Sequence, residues 1–283
     1  MRLRGVQRYH WARDVDEALS LLSAYQGKGA LLAGGVDLAR SPRTDIEGLI
    51  DLTGLGLSYV REEEEGGLRV GATTTLAALL GRPETESYAG GVLREALQTV
   101  ACPAIRHMAT LGGAVVSAHP WADIPTLLVA LDARGRWRGE REGKAELWDL
   151  YQKEFRRIFQ AAVLLEIELP PWEGVGAFEK IGRNAGDIAL LNACAGLRMS
   201  EGRIAEARVA VGARPQRGER LRWLEEALVG EKPNEKLWEK VKEEVRARIE
   251  VGEDRRASAE WRREAAGVLV ARALVRAAGK AGA

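Results

Sequence analysis

Two apolar runs in this 283-residue chain each contain a pair of adjacent glycines: residues 30–38, with Leu32, Ala33, Gly34, Gly35, Val36, Asp37 and Leu38, and residues 110–117, with Thr110, Leu111, Gly112, Gly113, Ala114 and Ser117. Adjacent glycines carry no side chain to obstruct an anion and accept positive φ. They also let consecutive N–H groups converge, which is the geometry of a backbone nest. Both runs read as strands that stop at such a nest. A single pair describes an ordinary tight turn as well, since turns are a common place for glycine. Two pairs in one domain, each followed by a polar helix-start signal, describe a clamp for a diphosphate.

Other chemistries have no residues to carry them. Gly27-Lys28, Gly143-Lys144 and Gly279-Lys280 are followed by glycine or alanine, so no phosphate-binding loop of the Gly-Lys-Ser/Thr type is present. No Gly-x-Gly-x-x-Gly leaves a strand and no Gly-x-Ser-x-Gly elbow occurs. His10, His107 and His119 are scattered, and Cys102 and Cys194 stand far apart with no Cys-x-x-Cys, which excludes a cysteine-built zinc or iron–sulfur site within the chain. Such poverty in acid–base groups suits a protein whose chemistry belongs to a bound cofactor.

The totals agree. With 42 Lys plus Arg against 41 Asp plus Glu, the formal net charge of +1 argues against nucleic acid or a membrane surface as a partner recognised by bulk charge. Neither the start nor any later window offers about 18 consecutive apolar residues, so neither a signal peptide nor a membrane span is expected and the protein reads as cytoplasmic. The length accommodates two domains.

The elements that must position the glycine pairs follow from pattern. Asp14-Val15-Asp16-Glu17 has capping-box spacing, and Val15, Ala18, Leu19 and Leu22 recur at helical intervals, predicting a helix to about residue 24. With strands near Leu31 and residues 48–52 it makes a small βαβ lobe. Residues 58–60 and 68–71 read as a hairpin, residues 76–80 and 93–100 as helices, and residues 127–131 as a buried helix started by Asp123 and Pro125. Residues 134–159 are crowded with charge, have poor periodicity, and read as variable surface. A strand at 163–169 leads to Pro170-Pro171, a domain boundary. Strands near 177–181, 188–199 and 204–211 precede helices near 219–229, 235–249 and 258–276, so the class is α+β with helices on one face of a sheet.

Five segments resemble, in order, the FAD-binding subunit of molybdenum hydroxylases, the group that includes the medium chain of carbon monoxide dehydrogenase and the flavin domain of xanthine dehydrogenase. They are Leu32–Leu38 with Thr110–Gly113, the Ser117-Ala118-His119-Pro120-Trp121-Ala122-Asp123 run, Arg183-Asn184-Ala185-Gly186-Asp187-Ile188-Ala189, and Asp254-Arg255-Arg256-Ala257-Ser258-Ala259-Glu260-Trp261-Arg262-Arg263, the last with Trp261 where tyrosine is usual. The resemblance covers nearly the whole chain. It implies a two-lobed FAD-binding domain of the PCMH type over residues 1–170, with lobes of about 1–55 and 56–170. A C-terminal α+β domain over 175–283 follows, with a small antiparallel sheet and helices.

By the same resemblance, backbone amides of Ala33 to Leu38 and of Thr110 to Ala114 hold the FAD pyrophosphate, and Leu32 and Ser117 border that site. Asp123 accepts from a cofactor hydroxyl, its other role being a helix cap. Leu164 touches the flavin ring system or is plain core, and Lys180 lies at the polar edge of the ring or makes a surface salt bridge. Val36 and Ala114 stand where the family has threonine and asparagine, and His119 where it has a small polar residue. The function implied is an electron-transfer subunit. It would accept electrons from the [2Fe–2S] clusters of a small partner subunit, beside a molybdopterin-binding large subunit, and pass them through FAD to an external acceptor, in a dimer of heterotrimers. A free-standing flavin-dependent oxidoreductase, or a non-enzymatic assembly protein that has lost flavin, are the alternatives.

Overall fold

The structure, a computed structural model, describes residues 3–152 and 155–282. Three sheets organise it. The first lobe is β1 (Arg8–Trp11), α1 (Val15–Ala24), β2 (Gly29–Leu32) and β3 (Gly48–Asp51), a parallel sheet in the order β1-β3-β2. The capping box forms as predicted, with the Asp14 carboxylate accepting the Glu17 N–H at 2.8 Å. The crossover helix is what permits parallel pairing, because antiparallel hairpin turns cannot join parallel strands. The predicted βαβ lobe lacked β1, whose Arg-Tyr-His-Trp sequence has no apolar run.

The second lobe holds β4 (Val60–Glu62), β5 (Leu68–Gly71), α2 (Leu76–Leu80), α3 (Glu84–Ser87), α4 (Val92–Thr99), α5 (Pro103–Met108), α6 (Leu111–Ser117), α7 (Asp123–Ala130), β6 (Arg134–Arg138), β7 (Glu142–Glu146), α8 (Leu147–Gln152), α9 (Phe155–Phe159) and β8 (Val163–Leu169). Its antiparallel sheet runs β4-β5-β8-β6-β7. β8 joins the lobes: Val163 and Leu165 pack with Ile50 and Leu52 of the first, while Ile167 and Leu169 enter the main core.

Two expectations need correction here. Residues 110–117 are not a strand ending in a turn. Thr110 caps a helix, its Oγ1 accepting the Gly113 N–H at 3.1 Å, and the glycines form the first turn of α6. Nor are residues 134–159 featureless surface, since they supply two strands and two short helices, residues 153 and 154 lying outside the described part. The strands were masked because β6 alternates arginine with Gly135 and Trp137, and β7 offers only Gly143 and Ala145 to the inner side.

The C-terminal sheet comprises β9 (Val175–Ile181), β10 (Leu191–Ser200), β11 (Arg203–Gly212) and β12 (Glu219–Arg220) in the order β12-β11-β10-β9, followed by α10 (Arg222–Leu228), α11 (Glu235–Arg248) and α12 (Ala259–Ala281). Strand alternation sends Ala177, Ala193, Ala195, Val209 and Val211 into a core with α11 and α12. Phe178, Cys194 and Ala210 point the other way, into the main core beneath α4 and α7. The sheet is therefore covered on both faces, not one. No helix among the described residues is long and apolar enough to cross a membrane.

Candidate cofactor site

β2 delivers residues 33–37 to the edge of the first lobe, where Gly35 turns the chain at a φ of 69° and a 3₁₀ turn at Leu38–Arg40 closes it, Ala39 donating to the Gly35 carbonyl at 2.9 Å. Gly34 lies directly against the end of α5. A Cβ there would overlap the Met108 carbonyl oxygen and stand 3.2 Å from Ala109 Cα. The first glycine loop thus abuts the segment that leads into the second. Gly112 makes a similar approach, its missing Cβ falling 2.6 Å from the Ala72 carbonyl oxygen. Two backbone-to-backbone contacts explain why glycine stands at these positions, and they bring both bends to one place.

The two bends differ in what they offer an anion. Among the described residues, the N–H groups of Gly34, Gly35, Val36 and Asp37 have no acceptor within the chain, so this loop is a set of free donors on a positive-φ turn. The amides of the second bend are occupied. Leu111 donates to Thr74 O and Gly112 to Ala72 O, both at 2.9 Å, while Gly113 donates to Thr110 Oγ1 and Ala114 to Thr110 O. Of the expected main-chain donors Thr110 to Ala114, those of Leu111 to Ala114 are therefore taken, and α6 forms a wall beside the donor loop. A cradle kept open by glycine and lined by unpartnered amides fits a dinucleotide pyrophosphate.

Asp37 and His119 close the mouth of the cradle, with His119 Nε2 and Asp37 Oδ1 3.2 Å apart. The imidazole and the Ser117 hydroxyl hold the Asp37 carboxyl below its ordinary pKa, with burial opposing them. The His119 ring stacks on Trp121, 4.8 Å between centroids and 7° from parallel, and the Arg256 guanidinium lies 5.9 Å above the same indole. Arg256 is anchored in turn by Asp254, which also binds the fully buried Arg262. A continuous ladder runs from the glycine loop to the C-terminal domain.

Lys180 and Asp123 are brought together, as a buried pair and not a surface one. Lys180 Nζ lies 2.8 Å from Asp123 Oδ2 and donates to the Thr99 carbonyl, and Asn192 Nδ2 donates to Asp123 Oδ1 at 2.7 Å. Burial pushes the Asp123 carboxyl up, opposed by the ammonium and the amide. Asp123 opens α7 but caps no amide. Cross-strand pairing of Lys180 with Asn192 fixes the geometry. Sequence reading missed Asn192, although a lone amide inside the apolar run 189–197 was a signal of a buried polar node. Leu164 packs with Leu147 and Leu150 over Gly135 in the core. Val36 and Leu32 are half-buried beside the loop, the Ser117 hydroxyl at the end of α6 acts on Asp37, and Ala114 packs against the main core.

Comparison with known proteins identifies the family. Residues 4–172 match the family model described as the FAD binding domain in molybdopterin dehydrogenase, and residues 176–277 match the CO dehydrogenase flavoprotein C-terminal domain. The chain is 31% identical to the carbon monoxide dehydrogenase medium chain of Afipia carboxidovorans, covering 96% of this chain and 97% of that one. It is 28% identical to the xanthine dehydrogenase FAD-binding subunit of Escherichia coli O157:H7, over 90% of each. The solved carbon monoxide dehydrogenase from Hydrogenophaga pseudoflava superposes with a TM-score of 0.90 at 27% identity, covering 97% of this chain and 98% of that one. With the glycine cradle, these matches show that the chain belongs to the FAD-binding flavoprotein family of the molybdenum hydroxylases, an oxidoreductase family whose cofactor is FAD.

Proposed function

We propose that this chain is the electron-transfer subunit of a molybdenum hydroxylase complex, taking electrons from the [2Fe–2S] clusters of a small subunit that is itself reduced by a molybdopterin-binding large subunit. The observation that carries the reading is the contact of Gly34 with Met108, which sets a loop of free amides against the α6 wall. Bound FAD would supply the redox chemistry, exchanging single electrons with the iron–sulfur partner and pairs with an external acceptor.

The chain's own residues bind and orient. Gly34, Gly35, Val36 and Asp37 present N–H donors to the pyrophosphate. The segment Thr110–Gly113 limits how far the phosphates can move. Asp123, fixed by Lys180 and Asn192, keeps one carboxylate oxygen and the adjoining ammonium in register at the junction of the two domains. Relatives named as medium chains support large and small subunits as partners, and a dimer of heterotrimers is the assembly we propose.

The direct test is expression of the full chain alone. It is expected to purify yellow, with flavin released on denaturation, and to regain colour with added FAD. A colourless chain indifferent to FAD would overturn the reading. Copurification from the native source should return molybdenum, iron and two further chains.

A further inference from the structure

We propose that Asn192 is a positioning residue for the cofactor: by holding Asp123 Oδ1 it limits Asp123 to one hydrogen bond with Lys180, and one N–H of the Lys180 ammonium is thereby left for FAD. The inference rests on the FAD reading above and adds to it a residue that acts on the cofactor only through others.

An ammonium carries three N–H donors. Lys180 Nζ spends one on the Thr99 carbonyl and one on Asp123 Oδ2, both at 2.8 Å. Among the described residues the third has no acceptor, although the side chain is only 7% exposed. A donor left unmet on a buried cation is costly, which points to an acceptor from outside the chain. Within the chain the competing acceptor is Asp123 Oδ1, the second oxygen of a carboxylate already bonded to Lys180. Asn192 removes that competitor. Its Nδ2 donates to Oδ1 at 2.7 Å and commits this oxygen to the amide.

The sheet is built to hold the amide there. Asn192 lies directly across from Lys180 in the β9–β10 ladder and from Gly212 in the β10–β11 ladder, so all three face α4 and α7 together with Phe178 and Cys194. A Cβ on Gly212 would stand 2.5 Å from Asn192 Oδ1 and would overlap Thr126 Oγ1, so glycine makes the room that the amide occupies. The amide has one workable orientation, because with Oδ1 toward Asp123 two acceptors would confront each other. Leucine would fill the same volume and offer no donor. The reduced cofactor carries the greater negative charge and gains more from a cationic N–H than the oxidised one does. Asn192 therefore favours reduction of bound FAD without touching it.

The experiment uses the full chain loaded with FAD and titrated anaerobically at pH 8 against redox dyes of known potential. Asn192→Leu removes the donor and releases Asp123 Oδ1 to Lys180. Its FAD midpoint potential is expected to fall by about 30 mV, a tenfold loss of preference for the reduced form in a two-electron couple. Its FAD dissociation constant, read by flavin fluorescence, should rise about three- to tenfold, the worth of one hydrogen bond. Cys194→Ala, two residues along the same face of β10, shares none of these hydrogen bonds and should lower stability while keeping the wild-type potential. A wild-type potential in Asn192→Leu, or an equal fall in Cys194→Ala, overturns the proposal while leaving FAD binding intact. A crystal structure of the wild-type chain with FAD needs no variant, so a misfolded substitution does not remove the test. It should show Asn192 Nδ2 on Asp123 Oδ1 and the third Lys180 N–H on a cofactor atom. Both Asp123 oxygens on Lys180, or an ammonium out of reach of FAD, would overturn the proposal. Failure of the wild type to bind FAD at all overturns the functional reading as well.

Discussion

Gly34 and Met108 touch through their backbones, with no room between them for a methyl group. The first belongs to the parallel lobe and the second to the helical layer of the other lobe, so this contact sets the width of the cleft between them. The free amides of residues 34–37 face α6 at a separation decided by two main chains rather than by adjustable side chains.

Replacing Gly34 with alanine forces the lobes apart at that point. Gly34→Ala is expected to lower flavin content of the purified chain by at least tenfold and to reduce stability by about 1–3 kcal/mol, the usual cost of overpacking. Absorbance at the flavin band per chain, together with denaturant unfolding, checks both parts. Wild-type flavin occupancy in this variant would mean that the contact does not shape the site.

The Asp123–Lys180 pair is buried, so removing one partner strands the other. Lys180→Met is expected to cost about 3–5 kcal/mol. The double variant with Asp123→Asn should be substantially less unstable than the sum of the single ones. The pH dependence has a definite sign. Asp123 has a folded pKa raised above its unfolded value, so it penalises the folded state at higher pH and the penalty fades as pH falls. In Lys180→Met the loss of stability should therefore shrink toward acid pH, which urea titrations at pH 5 and pH 8 would register.

Asp254 behaves in the opposite sense. Burial alone would raise its pKa, but the Arg262 and Arg256 hydrogen bonds outweigh it and hold the carboxyl far below the usual range. A depressed folded pKa contributes stability that is present above about pH 4 and disappears as pH falls further. Asp254→Asn is expected to lose about 2 kcal/mol at pH 7 and to show a flatter acid-unfolding curve than wild type. Parallel curves would place the acid transition elsewhere.

The two cysteines should separate by reactivity. Cys102 is exposed at the start of α5, whereas burial pushes the Cys194 thiol up to about 12. A disulfide-exchange reagent at pH 8 is expected to titrate one thiol per native chain and two after denaturation. Two fast thiols in the native protein would show that the main core opens readily around β10.

Much of this architecture was legible because local signals were strong. The Asp14 capping box, the apolar period of 163–169 and the apolar stretches of β10 and β11 identify their elements directly. The errors have a physical pattern. Residues 110–117 combine two glycines with Val115 and Val116, a composition that favours extended chain, yet Thr110 capping and close packing of Gly112 on Ala72 select helix. In β6 the inward positions are glycine and tryptophan between three arginines, so alternation was present but carried little hydrophobic contrast. The glycine pairs marked two bends of close main-chain approach. That Leu111 and Gly112 have no free N–H depends on acceptors at Thr74 and Ala72, distant in sequence and invisible to spacing. His119 is visible in the sequence, but its approach to Asp37 and its stacking on Trp121 required the fold.

The C-terminal sheet, walled by α10 and α12 on one side and by α4 and α7 on the other, has an implication for how this protein can be divided. Cutting after residue 172 would lay bare Phe178, Cys194 and Ala210 on one fragment and their counterparts on the other. The two halves are thus welded along a common interior, and a lineage that kept the flavin-holding half while discarding the rest would first have to invent a new lid for it.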